Sequence, residues 1–461
     1  MIEVQRRPAV LSLLEGKFAA LARLHRVPGA QLAIHDGRDT VTVEAGELEH
    51  GTGRRVTRDA AFPIGSISKS FTATVAMILV ADGDLELDEP LGRYLPELRD
   101  LGDQLTLRQV LSHTGGLAAD VDTGHPSTVT ARRYVTEHCR SENLVLPPGT
   151  AFSYSNMGYV LAGHLIETVT GMSWWDSMES ILLRPLGIEP AFVVAPGSRP
   201  SGRPVARGHS VNRLAGRTRP VEQSLIPAQA PAGALAVSAE DLVKFGLLHA
   251  GRGAPELLSA GCAEEMRQPA PAADPFGLAN GWGLGLAVFR EGSTDWVGHD
   301  GNAEGTSCHL RVDPASGWVI GLTGNANTGT DLWQDLRADL ERAGIPIGVS
   351  RAWALPASPV APPSGCAGTY ANGDLEFVVV AGRDGQPSLA INGDGFERMT
   401  FHDDLTFSLR DPGSSQPAFG GRFLRDPATG HIDGLQAGGR LALRRSWPAR
   451  AAAGAVGRPI A

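Results

Sequence analysis

Strand-like segments lie at both ends of the first 350 residues of this chain, and most of the helical segments lie between them. Alternating residues at 30–45 predict a hairpin that turns at Asp36-Gly37, and three further strands are predicted at 283–290, 307–312 and 317–324. Such a distribution predicts a single sheet that joins the two ends of the segment. With helices covering that sheet, the predicted fold class is α+β, arranged as a three-layer α/β/α domain.

Helical spacing of apolar residues fills most of the segment between these strands. Ser238 stands just before one such run, where a serine side chain can cap the free N–H groups of a helix. Helices are predicted at 10–26, from Ser66 to about Gly83, and at 107–112, 130–138, 158–170, 239–249 and 331–343.

A proline-rich stretch at 351–364 separates two segments of different pattern. Proline cannot continue a helix or occupy a central strand, so we predict a linker here and a first domain over 1–350. Beyond the linker, short alternating segments separated by Gly, Asp and Pro turns predict a small antiparallel barrel or sandwich over 365–448. We expect residues 449–461 to form a disordered tail.

Composition and charge exclude several classes of function. A net charge of −9 argues against nucleic acid as the main partner, and no apolar run approaches the roughly 20 residues that span a bilayer. Glu15 and Lys17 interrupt the only apolar stretch near the N-terminus, so we expect no signal peptide and a cytoplasmic protein.

The cysteines and most histidines do not suggest a metal site. The four cysteines are scattered without a CxxC pair, and no Cys/His cluster has the spacing of zinc ligands. The stretch from Ser112 to Gly116, which contains His113, is interpreted as the end of a helix. We therefore expect free thiols and no metal or other cofactor.

The stretch Ser66-Ile67-Ser68-Lys69 is the first candidate for chemistry. A serine and a lysine three apart on a helix lie on one face, which places a possible nucleophile beside a possible base. Only three of the 41 basic residues are lysines, and a desolvated lysine can lose its proton whereas an arginine cannot. A lone S-x-x-K motif often arises by chance, but here an apolar helix follows, which puts the serine at a helix N-terminus.

Tyr154-Ser155-Asn156 is the second candidate. A tyrosine near Ser66 could relay a proton as its phenolate or share one with Lys69. Asn156 could hold Lys69 or a substrate amide. The alternative is an ordinary loop tyrosine that leads into the helix at 158–170.

His299-Asp300-Gly301-Asn302 is the third candidate. Gly301 would let the backbone approach a ligand closely, and His299 could donate a hydrogen bond to a carbonyl or orient the tyrosine. For these residues taken alone, a tight turn between two strands is the favoured interpretation.

Together, the three motifs resemble those of the serine β-lactamase and penicillin-binding-protein superfamily. Ser66-x-x-Lys69 stands in the place of the first motif, Tyr154-Ser155-Asn156 in that of the second, and His299-Asp300-Gly301 where many members have Lys-Thr-Gly. Residues 111–117 and 158–163 are also typical, and the resemblance covers about residues 9–345.

The same resemblance implies the architecture of both domains. Residues 1–350 would form a β-lactamase-like catalytic domain of three α/β/α layers. Residues 365–448, which open with Cys366-Ala367-Gly368-Thr369-Tyr370, look like the all-β lipocalin-like barrel that some members carry at the C-terminus.

The resemblance also implies a role for each matched residue. Ser66 attacks an acyl carbon, while Lys69 and Tyr154 remove its proton and later manage the incoming nucleophile. Backbone N–H groups of Ser66 and Asn302 form the oxyanion hole. The outcome is an acyl-enzyme that is resolved by water or by an amine.

One departure from the superfamily pattern narrows the function. His299 replaces a lysine that typically meets the carboxylate of a β-lactam or a peptide C-terminus, and a neutral histidine is a weaker anion site. This argues against β-lactamase activity and leaves D-aminopeptidases and amidases, carboxylesterases, and penicillin-binding-protein-type thioesterases. The stretches 230–236, 276–286 and 298–302 look similar to the stand-alone peptide cyclases among those thioesterases.

That similarity implies a trans-acting thioesterase that closes nonribosomal peptides into rings. It would take a peptidyl thioester from a peptidyl carrier protein onto Ser66 and release a head-to-tail macrolactam, with a preference for a D-residue at the acyl end. Arg444 and Arg445 on the last predicted strand are candidate contacts to peptide or carrier, although surface charge is at least as good an interpretation.

Two rival functions remain open at this point. One is a D-stereospecific aminopeptidase, amidase or carboxylesterase that uses the same serine. The other is a binding or sensor protein that accepts an acyl group and never turns over.

Overall fold

The computed structural model describes residues 16–120, 129–193, 201–291, 294–348, 359–382, 385–395, 397–410 and 417–445. These residues pack into two compact units. The first comprises Met1–Ala354 together with Gly438–Arg440, and the second comprises Leu355–Ala437 and Leu441–Ala461. Most of the predicted linker and the whole predicted tail at 449–461 lie outside the described residues.

A seven-stranded sheet forms the centre of the first unit, in the spatial order β2-β1-β11-β10-β9-β8-β7. The first and last parts of the unit meet in the pairing of β1 with β11, which confirms the predicted sheet. The strands of this unit are β1 (Gly29–Asp36), β2 (Thr40–Gly46), β3 (Phe62–Pro63), β4 (His209–Asn212), β5 (Arg217–Pro220), β6 (Ala236–Val237), β7 (Gly281–Trp282), β8 (Ala287–Glu291), β9 (Thr294–Gly301), β10 (Ser307–Val312) and β11 (Trp318–Gly324).

Helices cover both faces of this sheet. The α-helices among the described residues are α1 (Phe18–Leu24), α2 (Ser68–Ala81), α3 (Leu107–Leu111), α4 (Ala131–His138), α5 (Asn156–Thr170), α6 (Trp174–Ser177), α7 (Ala230–Gly233), α8 (Ala239–His249), α9 (Ala260–Arg267) and α10 (Gly329–Arg342). Side chains of α2, α5 and α8 share one hydrophobic core, whereas those of α1 and α10 share another.

The two cores lie on opposite faces of the sheet. Along β1, Leu32 and Ile34 belong to the core of α1 and α10, and Ala33 between them belongs to the core of α2. Successive side chains of a strand point to opposite faces, so this alternation places one helical layer on each side. The predicted three-layer α/β/α arrangement is therefore confirmed.

Local capping chemistry fixes the start of α8. The Ser238 hydroxyl accepts a hydrogen bond from the Asp241 N–H, and the Asp241 carboxylate accepts one from the Ser238 N–H. This reciprocal pair satisfies two N–H groups that the first turn leaves free. The helix predicted at 239–249 is confirmed at both ends.

The second unit is a closed antiparallel barrel of eight strands. Its interior holds aliphatic and aromatic side chains, among which the rings of Phe401 and Phe423 stack with their centroids 6.2 Å apart. The strands are β12 (Gly368–Asn372), β13 (Leu375–Ala381), β14 (Pro387–Ile391), β15 (Glu397–Phe401), β16 (Thr406–Arg410), β17 (Pro417–Arg425), β18 (Ile432–Ala437) and β19 (Arg440–Arg444). The barrel alternative is confirmed, and β12 is a strand that the sequence pattern did not predict.

The first unit departs from prediction at a functionally important place. His299-Asp300-Gly301 does not form a tight turn, because it is the last part of the eight-residue strand β9. Gly298 interrupts the alternation of side chains there and hides the strand from a pattern search. In the part of the chain that the structure describes, we find no helix with the length and apolar character needed to cross a membrane.

Candidate active site

Ser66 lies in a single 3₁₀ turn, Gly65–Ile67, that leads directly into α2. The preceding Phe62–Pro63 pairs with Ala236–Val237, which anchors the turn in the buried part of the unit. Gly65 adopts a φ of +49°, in the left-handed region that favours glycine. Ser66 itself is half-buried, so its hydroxyl remains reachable at the start of the helix.

Lys69 contacts the serine directly. Its Nζ lies 3.0 Å from the Ser66 Oγ and 2.8 Å from the backbone carbonyl of Ala232, to which it donates. The side chain is completely buried, and this burial lowers the pKa of Lys69 to about 7. The negative charge of Asp120 opposes this lowering of the pKa, and the positive charge of Arg440 adds to it. Lys69 is thus a base that can be neutral near pH 7.

Tyr154 packs beside this pair. Its ring centroid lies 5.0 Å from the Lys69 Nζ, and its backbone N–H donates to the carbonyl of Gly439 in the same unit. Burial raises the pKa of Tyr154, and the nearby Ser66 hydroxyl only partly offsets that rise. The hydroxyl has no partner in hydrogen-bonding geometry among the described residues. A neutral phenol that can donate a proton fits this site better than a phenolate.

His113 holds the backbone on both sides of Tyr154. Its carbonyl accepts from the Ser153 N–H at 2.9 Å, and its Nδ1 accepts from the Ser155 N–H at 3.1 Å. The imidazole also packs on the Tyr154 ring, with 4.2 Å between centroids. The stretch after α3 is therefore more than a helix end, because it fixes the position of the second motif. In the sequence, the only indication of this role is that the stretch is typical of the superfamily.

Asn156 begins α5 and faces the same region. Its amide nitrogen donates to both carboxylate oxygens of Asp120, at 3.0 and 2.8 Å. That leaves the amide oxygen as an acceptor for a substrate N–H. Lys69 is held by Ala232 instead, which differs from the expected contact with Asn156.

The end of β9 packs tightly against the serine turn. A Cβ on Gly301 would lie 1.9 Å from the carbonyl oxygen of Ile64, and a Cβ on Gly65 would lie 2.4 Å from that of Asn302. Both glycines are therefore needed for two backbone segments to meet, whereas we expected Gly301 to admit a ligand. The contact places Asn302 beside Ser66, as an oxyanion hole made of their two N–H groups requires.

His299 reaches the same site from β9. Its Nδ1 lies 2.6 Å from the carbonyl oxygen of Asp300, and its ring centroid lies 6.2 Å from that of Tyr154. Burial and the nearby Lys69 lower the pKa of His299 to about 4, so the ring is neutral near pH 7. The Nε2 atom is buried without a hydrogen-bond partner among the described residues.

Asp300 anchors this strand through a charged network. Its carboxylate accepts from both terminal nitrogens of Arg311, at 2.7 and 3.1 Å, and from the His309 Nδ1 at 2.7 Å. The Arg311 guanidinium in turn stacks 3.6 Å above the Phe289 ring. Burial works to raise the pKa of Asp300, but the Arg311 guanidinium and the hydrogen bonds from Arg311 and His309 hold that pKa well below its usual range, so the carboxylate stays charged.

Two pockets meet at Ser66, which together with Asn302 lines both of them. The first, here called the Gln223 pocket, has a volume of about 210 Å³ and is lined in addition by Asn156, Val193, Gln223, Leu225 and Ala303. The second, here called the Trp282 pocket, has a volume of about 310 Å³ and is lined in addition by Tyr154, Leu278, Trp282, Phe289, His299 and Asp300. A serine between two pockets suits a group transfer with separate places for acyl group and acceptor.

The two arginines predicted as contacts to peptide or carrier bind partners within the barrel unit. Arg444 donates to the carbonyls of Ile432 and Ala367 within the barrel unit, and Arg445 pairs with Glu376 there. The arginine that the structure brings to the site is Arg440, whose guanidinium lies 5.3 Å from the Tyr154 ring centroid. It alternates with apolar residues on a short strand, so the sequence offered no signal that separated it from its neighbours.

The donor set of the site does not suggest a metal centre. Within the described residues, no group of three or more His, Cys, Asp or Glu side chains is arranged to hold an ion. The arrangement suits proton transfer and acyl transfer by Ser66, Lys69 and Tyr154, with His299 facing them.

Comparison with known sequences agrees with this chemistry. Residues 14–343 match the family described as Beta-lactamase. Penicillin-binding protein 4 of Amycolatopsis lactamdurans is 36% identical over 374 residues, which covers 77% of this chain and 96% of that protein. Unguisins hydrolase ungD' of Aspergillus campestris is 30% identical over 319 residues, or 65% of this chain and 58% of that protein.

Solved structures extend the likeness to both units. The crystal structure of SurE is 40% identical with a TM-score of 0.83, and the match covers 96% of this chain and 100% of that one. D-amino acid amidase from Ochrobactrum anthropi SV3 is 27% identical with a TM-score of 0.60, covering 72% of this chain and 98% of that one.

Proposed function

This chain belongs to the beta-lactamase family of serine hydrolases and acyltransferases, and on that premise we propose that it is a peptide cyclase. Ser66 would take a peptidyl acyl group from a thioester and pass it to the amino terminus of the same peptide. The product would be a head-to-tail macrolactam, released without hydrolysis.

In the first half-reaction, neutral Lys69 accepts the proton of the Ser66 hydroxyl while Oγ bonds to the acyl carbon. The 3.0 Å separation of the two atoms allows this transfer directly. Backbone N–H groups of Ser66 and Asn302 would stabilise the developing oxyanion. The departing thiolate would take a proton from Tyr154 or from the protonated Lys69. An acyl-enzyme ester on Ser66 results.

In the second half-reaction, the peptide's own amine attacks the ester carbon. A C–N bond forms, the bond between the acyl carbon and Oγ breaks, and one amine proton returns to Ser66 through Lys69. Holding amine and ester together in adjoining pockets would favour ring closure over attack by water, because the encounter becomes intramolecular. The two pockets that meet at Ser66 support this division.

The observation that carries this proposal is the likeness to SurE, the surugamide cyclase. It extends over 96% of this chain, both units included, at 40% identity. A second SurE structure holds D-Leu, which supports a preference for a D-residue at the acyl end. By analogy, the acyl donor would be a phosphopantetheine thioester on a peptidyl carrier protein.

A second candidate is a D-stereospecific amidase or aminopeptidase. A D-stereospecific amidohydrolase from Streptomyces and the amidase from Ochrobactrum are both 27% identical, and they cover 70% and 72% of this chain. Those matches leave out more than a quarter of the chain, which makes them the weaker guide. The chemistry at Ser66 would be the same, with water as the final acceptor.

A peptidyl thioester separates the two candidates. We expect a linear peptide thioester with a D-residue at its acyl end to give mainly the cyclic peptide over many turnovers, as measured by liquid chromatography and mass spectrometry. The matched substrate with an L-residue at that end should react at least about tenfold more slowly, since a misplaced side chain costs roughly 1–3 kcal/mol of transition-state binding.

The same assay contains the results that would reject the proposal. If the linear acid were the sole product while simple D-amino acid amides turned over well, the amidase would be the better assignment. If product never exceeded one equivalent per protein, a binding or sensor function would be favoured.

A further inference from the structure

The hydrogen bond of His299 fixes which of its nitrogens carries the proton. A backbone carbonyl can only accept, so the 2.6 Å contact from Nδ1 to the Asp300 oxygen requires hydrogen on Nδ1. In a neutral imidazole the other nitrogen is then a bare acceptor. We expected His299 to donate to a carbonyl, but in this tautomer its Nε2 can only receive a hydrogen bond.

The surrounding strand stabilises this tautomer. Asp300 is paired with His309 across the sheet, and its carboxylate is bound by Arg311 and His309. Turning the carbonyl that selects the tautomer away would therefore disturb both the pairing of β9 with β10 and the contacts of Asp300 with Arg311 and His309. Lys69 stands near His299 and would oppose a second proton on the ring.

This acceptor stands where many members of the superfamily carry a lysine, which can only donate. A lysine ammonium offers three hydrogens and no lone pair, which suits a carboxylate. His299 offers a lone pair and no hydrogen to the Trp282 pocket, which Asp300 also lines. Arg440 is the one cation that lines the described part of this pocket. Close to His299, the pocket therefore favours a group that brings its own N–H.

A donor lies beside the acceptor. The indole Nε1 of Trp282 is buried without a hydrogen-bond partner among the described residues, and the Trp282 ring centroid is 5.1 Å from that of His299. Buried polar atoms in proteins are nearly always paired, so an unpaired acceptor and an unpaired donor on one pocket wall point to a ligand that pairs both. The amino-terminal residue of a peptide offers an amine N–H and, three bonds from the nitrogen, a carbonyl oxygen.

We propose that the Trp282 pocket binds the attacking amino terminus, with the His299 Nε2 accepting one amine N–H and the Trp282 Nε1 donating to the carbonyl of the same residue. This role rests on the proposed function, because it requires that an amine resolves the acyl-enzyme. The amine enters neutral and keeps its lone pair for the ester carbon. His299 retains one amine hydrogen by hydrogen bonding, and the other leaves through Lys69 to Ser66 Oγ as the C–N bond forms.

The test measures how one acyl-enzyme divides between an added amine and water. Ser66 is acylated with a peptide thioester too short to cyclise, L-phenylalanine amide is added, and the ratio of amide to acid is measured by mass spectrometry. Because both products come from the same acyl-enzyme, the ratio does not depend on how fast a variant is acylated. Intact-protein mass gives the fraction of each variant that is acylated.

We expect His299→Lys to lower the ratio about tenfold or more, since it replaces the acceptor with a cation and leaves the amine N–H unpaired. His299→Gln supplies an amide oxygen that can accept, and should stay within a few-fold of the unmodified protein. Trp282→Phe should reduce the preference for L-phenylalanine amide over 2-phenylethylamine, which lacks the carbonyl.

Each further outcome has one meaning. An unchanged ratio in His299→Lys, or an equal loss in His299→Gln and His299→Lys, would contradict the acceptor role while leaving the cyclase proposal intact. Acid as the only product of the unmodified protein at every amine concentration would contradict the proposed function itself.

Discussion

Ser66→Ala should abolish acylation and reduce turnover on the order of 10⁴- to 10⁶-fold, the usual cost of removing a catalytic serine. The mutant loses the nucleophilic Oγ, which lies 3.0 Å from the Lys69 Nζ, and keeps the rest of the site. Turnover of a D-terminated peptide thioester and intact-protein mass after mixing would measure both effects.

Ser141→Ala is the matched control for this change. Ser141 is an exposed serine of the same unit and is not among the residues that line the two pockets at Ser66. It should leave turnover and acylation unchanged. Substantial acylation of Ser66→Ala at the normal rate would remove Ser66 from the mechanism.

Lys69→Arg should lower the rate of acylation about 10²- to 10⁴-fold, the usual contribution of a general base. An arginine preserves the positive form of the side chain but cannot give up its proton near neutral pH, so it cannot take one from Ser66. Stopped-flow measurement of thiol release gives the rate. Lys244→Arg is the control, because Lys244 is partly exposed and contacts the Gly187 carbonyl and the Asp241 carboxylate.

The pH dependence of acylation follows from the same residue. Burial lowers the pKa of Lys69 to about 7, and only the neutral amine can act as the base. The rate of acylation should therefore fall as pH decreases below about 7 and level off above it. A rate that stayed constant from pH 5 to pH 9 would show that Lys69 is not the proton acceptor.

Much of the fold could be predicted from the sequence, because the spacing of apolar residues indicates which face of a helix or strand is buried. The hairpin at 30–45 and the helix Ala239–His249 were predictable in this way, the latter from its serine cap. Strand β9 was not, because Gly298 and the polar residues around it break the alternation. Because β9 carries polar residues of the site and a glycine, it lacks the alternation of apolar and polar residues by which strands are recognised.

The site is only partly readable for a related reason. Ser66 and Lys69 are close in sequence, so helix geometry alone places them together. His113, Asp120, Trp282 and Arg440 act through packing and charge that depend on the tertiary structure. The tautomer of His299 depends on the backbone carbonyl of Asp300. The position of that carbonyl is known only from the backbone conformation of β9, so the sequence motif alone does not predict the tautomer.

The central claim is that the peptide forms an ester with Ser66 and is then transferred to an amine. Mass mapping of protein quenched within seconds of mixing with a D-terminated peptide thioester tests it most directly. We expect one adduct whose added mass equals that of the peptide thioester minus that of the released thiol. It should be located on the fragment that contains Ser66 and should decay as cyclic peptide appears. Cyclic product without an adduct on Ser66, or an adduct on another residue that decays at the same rate, would contradict the account.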